Sequence, residues 1–121
     1  MPETLDLDSH NAATIAEQND RFRQALGSTG ELKGRCVVTQ ALAALGPDLQ
    51  LAVLRDVAGF NSFTTDNDPH GFHDMGSIQI GEHTIFWRID LYDTEYHWGS
   101  ETPADPAATR RVLTIMLAED L

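Results

Sequence analysis

Between Ile78 and Leu91, apolar and polar residues alternate around a Gly-Glu step. Ile78 and Ile80 precede Gly81-Glu82, and Ile85, Trp87, Ile89 and Leu91 follow it. A period of two is the mark of half-buried strands, and a two-residue hairpin loop with glycine first suits Gly81-Glu82. That loop sets a register. Ile80 stands opposite His83, Ile78 opposite Ile85, Gly76 opposite Trp87 and, by continuation, His73 opposite Asp90. Directly opposed residues share a face with Cβ atoms roughly 5 Å apart. His73 and Asp90 are therefore expected as neighbours on the face away from Ile85, Trp87 and Ile89, with Met75 and Arg88 next along.

The remaining segments supply elements to cover such a hairpin. Residues 1–8 read as a loose leader and residues 9–121 as one globular domain, a size that suits a chain of 121 residues. Asp8 or Ser9 is placed to cap a helix that runs to about Leu26 and stops at Gly27. Its thin apolar face holds Ile15, Phe22 and Leu26, with Ala12 and Asn19 filling the stripe. Arg35 to Thr39 is a strand candidate rich in β-branched residues, while Ala41 to Leu45 fits strand or helix. Pro47 opens a helix carrying Leu51, Leu54 and Val57, and Gly59 closes it. Tyr92 to Thr102 reads as a polar loop. Asp105 and Pro106 predict a last helix with Val112, Leu113, Met116 and Leu117 on its apolar face, and Arg110-Arg111 as a solvated pair near Glu119 and Asp120. The expected fold class is α+β: a small antiparallel sheet, including a 73–91 hairpin, with about three helices packed on it.

Chemistry concentrates in residues 65–76, where Asp66, Asp68 and Asp74 stand with His70 and His73 among Pro69, Gly71 and Gly76. The hairpin register makes His73 and Asp90 the candidate catalytic dyad, since a carboxylate beside an imidazole raises its pKa or fixes its tautomer. No Ser or Cys stands in a nucleophile motif. Cys36 is alone, forms no internal disulfide, and suits a small buried apolar position. His70-x-x-His73 lacks the four-residue helical spacing of a zinc-protease motif. Asp66-x-Asp68 opens like a calcium loop but meets Pro69 and lacks the glutamate at the twelfth position. His70, His73 and Asp68 are weak metal candidates, and no cofactor is expected. The same residues also suit a structural loop, with Asp and Asn bonding their own backbone and His73–Asp90 pinning the hairpin.

Nineteen acidic residues against eight basic ones give a net charge of −11. The charge is −5 over residues 1–20, +2 over 21–65, −8 over 66–105 and zero over 106–121. Such a balance opposes direct binding to nucleic-acid phosphates or an acidic membrane surface, and makes a basic protein the natural partner. No apolar run approaches the ~20 residues of a membrane span. The start lacks the pattern of a signal peptide, so a cytoplasmic location is expected. The candidate interaction residues are Asp66, Asp68, Glu82, Asp93, Glu95 and Glu101, expected exposed on one connected face, with Tyr96 and Trp98 as aromatic anchors. Acidity that serves solubility alone is the plain alternative.

Several separated strings also carry a resemblance: Asn19-Asp20-Arg21-Phe22-Arg23, Leu45-Gly46-Pro47-Asp48, Asp66 to Gly76, Phe86 to Asp93 and Arg111 to Asp120. Together they resemble a family of small bacterial proteins of unknown function, often carried on plasmids and other mobile elements, over about residues 16–120. The resemblance implies a mobile-element setting and transfers no catalytic residues. Three functions are consistent with these readings. One is an anti-defence inhibitor, of anti-CRISPR or anti-restriction type, that mimics nucleic acid on a basic host effector. Another is a small metal-dependent or His–Asp enzyme centred on His73 and Asp90. The third is a non-catalytic plasmid accessory or interaction module.

Overall fold

The hairpin forms as its turn dictates. In the computed structural model, which describes residues 2–120 and side chains from residue 11 onward, Gly81 sits at φ 59°. It joins β2 (Met75–Ile80) to β3 (His83–Tyr92), with Ile80 opposite His83, Ile78 opposite Ile85 and Gly76 opposite Trp87. Glycine takes this left-handed backbone without the steric cost a Cβ would bring. The pairing ends at Met75 opposite Arg88. His73 has φ 52° and turns out of the strand, so the register does not continue to Asp90.

Two further strands complete the sheet: β1 (Lys33–Val38) and β4 (Arg110–Leu117). The strand order is β1-β4-β3-β2, with β1 parallel to β4 and the other two pairings antiparallel. The fold is α+β as expected, but the sheet is mixed. β4 replaces the expected last helix. Asp105 and Pro106 do start a helical turn, the Asp105 carboxylate accepting from the Ala107 N–H at 3.0 Å, yet it is a single 3₁₀ turn over Pro106–Ala108. Beyond it Arg111, Leu113, Ile115 and Leu117 face the core and alternate with Val112, Thr114 and Met116. β4 is a central strand with apolar residues on both faces, and such a run mimics helical spacing over a few residues.

Three helices cover one face of the sheet: α1 (Pro2–Gln24), α2 (Gln40–Ala43) and α3 (Pro47–Ala58). Phe22, Leu42, Val53 and Val57 from these helices pack on Ile85, Trp87, Leu113 and Ile115 of the sheet. Each such side chain contributes roughly 1.5–3 kcal/mol when fully buried. Cys36 packs against the same core, and burial raises its thiol pKa. α3 opens at Pro47 and ends at Gly59 as expected. α1 begins before the expected cap at Asp8 or Ser9, and the side chains of the expected leader over residues 1–8 lie outside the described residues. Its C-terminal end closes with the Gly27 N–H on the Phe22 carbonyl at 3.0 Å and Leu26 left-handed at φ 53°. Among the described residues no helix is long and apolar enough to cross a membrane.

Candidate functional site

The end of α1 anchors the segment richest in chemistry. Residues three and four apart lie on one side of a helix, so Asn19, Asp20 and Arg23 all turn toward the loop between α3 and β2. Arg23 is buried. Its guanidinium donates to the carbonyl of Val57 at 3.1 Å, to the carbonyl of Phe60 at 2.8 Å and to Asp20 Oδ1 at 3.0 Å. The same Asp20 carboxylate lies 2.9 Å from His73 Nδ1. His73 Nε2 lies 3.6 Å from Asp68, which also accepts the His73 backbone N–H at 3.2 Å. The imidazole stacks flat on Phe63 with ring centres 3.9 Å apart, and Arg23 sits over both Phe63 and Trp87.

His73 is thus held between Asp20 and Asp68 and makes no hydrogen bond or ion pair with Asp90, which pairs instead with Arg88 at 3.1 Å. The expected His73–Asp90 dyad is corrected to His73–Asp20. The left-handed turn at His73 directs the ring to α1, a partner that strand register alone does not reveal. Asn67 supports the structural reading of this loop, accepting the Thr64 N–H at 2.8 Å and donating to the Ser62 carbonyl at 2.8 Å.

A second buried polar cluster lies beside the first. Arg111 donates to Asn19 Oδ1 at 2.8 Å and to Gln18 Oε1 at 2.7 Å. The amide groups of Asn19 and Gln18 then donate to the carbonyls of Phe72 and Ala104. Arg111 is not the expected solvated residue. It is fully buried, one guanidinium nitrogen (Nη1) has no partner, and desolvation together with Arg21 lowers its pKa to about 10. Sequence reasoning missed this cluster. Its signal was a polar Asn19 in an apolar stripe and an Arg111 at a core position of an alternating strand.

A cleft of about 240 Å³ opens just ahead of the start of β2, lined by Asn19, Phe72, Asp74, Asp90, Leu91 and Pro103 among others. Burial raises the Asp74 pKa, and the nearby Asp68 and Asp90 raise it further. Among the described residues no three His, Cys, Asp or Glu side chains converge as metal ligands do. His70 is exposed and lies against Phe72, with ring centres 5.8 Å apart.

The expected acidic face divides. The Asp68 side chain is only 6% exposed, so it caps His73 and offers little to a partner. Asp66 is exposed on the loop before β2, while Glu82 is exposed at the hairpin turn, the far end of β3 from Asp93 and Glu95. Ten residues of strand separate those ends by roughly 30 Å, so these acids do not form one connected face. Within residues 93–101 the Asp93 carboxylate accepts the N–H groups of Glu95 and His97 at 3.0 and 3.1 Å, and these bonds hold its pKa low. Glu95 and Glu101 are exposed, Trp98 is 77% exposed, and Tyr96 is half-buried with φ 61°.

Comparison with known sequences matches residues 38–120 to a family described as "Protein of unknown function (DUF3768)". That is more than half of the chain. No curated protein and no solved structure matched.

Proposed function

For this chain, which belongs to the DUF3768 family, we propose a non-catalytic binding role in which residues 93–101 engage a basic protein partner. The observation that carries the reading is Trp98, 77% exposed on a short loop between the exposed Glu95 and Glu101. Burying an indole is among the larger single gains available to an interface, and flanking carboxylates steer a basic surface toward it. Catalysis is less favoured, because both imidazole nitrogens of His73 face carboxylates that also bind Arg23 or the loop backbone. In its sharper form the reading is an anti-defence inhibitor from a mobile element, with carboxylates standing in for phosphates on a basic nucleic-acid groove.

The test is affinity capture from a bacterial lysate at low and high salt, followed by competition of the captured protein with nucleic acid. Trp98→Ala combined with Glu95→Lys and Glu101→Lys is the diagnostic variant. Asp93 is left intact because it caps the loop. Capture of a nucleic-acid-handling protein only at low salt, lost in the variant, supports mimicry. Equal competition by both proteins defeats it.

A further inference from the structure

Among the described residues the face of the sheet opposite the helices carries no helix, and three of the four solvent-accessible cations outside any ion pair, Lys33, Arg35 and Arg110, gather at one of its corners, Arg55 on α3 being the fourth. Lys33 and Arg35 point to this face from β1 and Arg110 from β4, while Gly34, Cys36 and Arg111 point to the core. The register sets Lys33 opposite Arg110, Arg110 opposite Tyr92, and Arg35 opposite Val112. The Arg35 guanidinium lies over the Tyr96 ring at 4.0 Å, and Tyr96 is 6.4 Å from Tyr92, centre to centre. Three cations and two half-buried tyrosines therefore share one corner of this face.

In a chain with 19 acids, these cations make no ion pair among the described residues. The ion pairs among the described residues involve Arg21, Arg23, Arg88, His73 and His97, and none involves Lys33, Arg35 or Arg110. Lys33 Nζ reaches the Gly30 carbonyl at 3.5 Å, and Arg110 donates to the Thr109 carbonyl at 3.1 Å. The nearest acids by register and loop are engaged elsewhere: Asp90 with Arg88, and Asp93 with the backbone of its own loop. Like charges directly opposite on a ladder destabilise it, so the fold carries an unrelieved positive corner that an anion would relieve.

We propose that this corner binds a single-stranded nucleic acid. Lys33, Arg35 and Arg110 take the phosphates, the Tyr96 ring holds the Arg35 guanidinium in place, and Tyr92 presents its ring to a base. Guanidinium groups match phosphate oxygens in paired geometry. A sheet face bearing aromatic and cationic side chains suits splayed bases of a single strand rather than a duplex groove. The net charge of −11 does not forbid this, because screening at physiological salt confines the field to ~8 Å and leaves the local cations to decide. Tyr96 belongs to the same loop as Trp98, but the cations that carry this inference lie on β1 and β4, and its test separates the two readings.

The experiment is fluorescence anisotropy with labelled oligothymidylate and oligouridylate of about 20 nucleotides. Three phosphate contacts on a single strand predict about a 20-fold loss of affinity between roughly 50 and 200 mM salt. Lys33→Gln, Arg35→Gln and Arg110→Gln combined should weaken binding at least about tenfold and flatten that salt dependence. Tyr92→Leu should weaken it about fivefold or more through lost stacking. Arg55→Gln, on the exposed side of α3, and Trp98→Ala alone, which changes no charge, should bind like wild type. If the triple variant loses its circular-dichroism signature, amide shift mapping on the wild-type protein decides instead, with shifts expected at Lys33, Arg35, Tyr92 and Arg110. No binding by wild type, unchanged binding by a folded triple variant, or shifts confined to other residues overturns the assignment. Equal affinity for poly-L-glutamate, or self-association lost in the triple variant, also overturns it, in favour of an acidic protein segment or a second copy.

Discussion

The two faces of the sheet treat their arginines in opposite ways. On the helix-covered face Arg23 and Arg111 are buried, and apart from one contact to Asp20 they are bound by neutral oxygens of backbone and amide groups. On the open face Arg88 pairs with Asp90, while Lys33 and Arg35 are exposed and Arg110 half-buried, and these three make no ion pair among the described residues. Arg110 and Arg111 are sequence neighbours, so the period of two alone sends one to each face. A cation bound into a buried polar cluster is a structural part, because removing it strands its partners. A cation left unpaired at the surface contributes little to stability and is available for binding.

That contrast is easiest to break where the two strands carrying it meet. Gly34 lies opposite Arg111, and a Cβ built on it would stand 1.9 Å from the Arg111 carbonyl oxygen. Backbone on both sides leaves nothing to yield except the β1–β4 pairing. Gly34→Ala should cost about 3 kcal/mol or more, or prevent folding, as read by urea denaturation. Arg111→Ala comes next, at about 3 kcal/mol, because it leaves Gln18 and Asn19 without their donor and opens a cavity. Arg111→Met fills the same space without a buried charge and should cost clearly less. A loss below about 1 kcal/mol for Arg111→Ala would show that the cluster is not structural.

The His73 clamp sits one step down in magnitude. Asp20→Ala frees both Arg23 and His73 and should cost about 2 kcal/mol, while His73→Ala should cost about 1 kcal/mol through the lost stack and hydrogen bond. Limited proteolysis should then cut the loop before β2 faster in both variants. Unaltered cleavage rates would remove the clamp from the account.

These features were unevenly legible in the sequence. The turn and register of the hairpin were legible, since a two-residue loop with glycine first leaves one register, but its end was not, because the pairing stops at Met75 and never reaches His73. α3 was legible from Pro47 and Gly59. β4 was not, because Val112 to Leu117 is apolar on both faces and a central strand imposes no single periodicity. The parallel β1–β4 pairing joins residues more than 70 positions apart, here Lys33 and Arg110, and segment charges could not foretell that corner. His73 was expected beside Asp90, yet the carboxylate beside it lies on α1, 53 residues upstream. A left-handed turn at a histidine has no sequence signature as firm as a glycine.

Asp74 gives a smaller, pH-dependent test on the covered side. Burial sets its folded pKa above the ordinary 3.8, so the folded state binds the proton more tightly than the unfolded chain. The stability this brings is complete below the ordinary value and is lost as pH rises through the raised one. At neutral pH the ionised Asp74 is therefore a penalty, which solvent exposure keeps below about 1 kcal/mol. Asp74→Asn should raise the urea midpoint at neutral pH, and the gain should vanish by about pH 4. A gain that persists at low pH would assign the effect to something other than the charge.

The smallest expected effect is the most informative about the open face. Lys33→Gln with Arg110→Gln removes two like charges that face each other across the ladder and whose side-chain hydrogen bonds, among the described residues, go to the carbonyls of Gly30 and Thr109. No carboxylate is stranded, no cavity forms, and an unfavourable cross-strand pair disappears. Stability should change by no more than about 0.5 kcal/mol, in the stabilising direction if at all. Equilibrium unfolding at low salt, where exposed charges act over the longest range, is the sensitive measurement, and added salt should erase the difference. A loss above about 1 kcal/mol would mean that these side chains brace the fold as Arg111 does. The division between a structural face and a binding face would then fail at the corner where it is drawn most sharply.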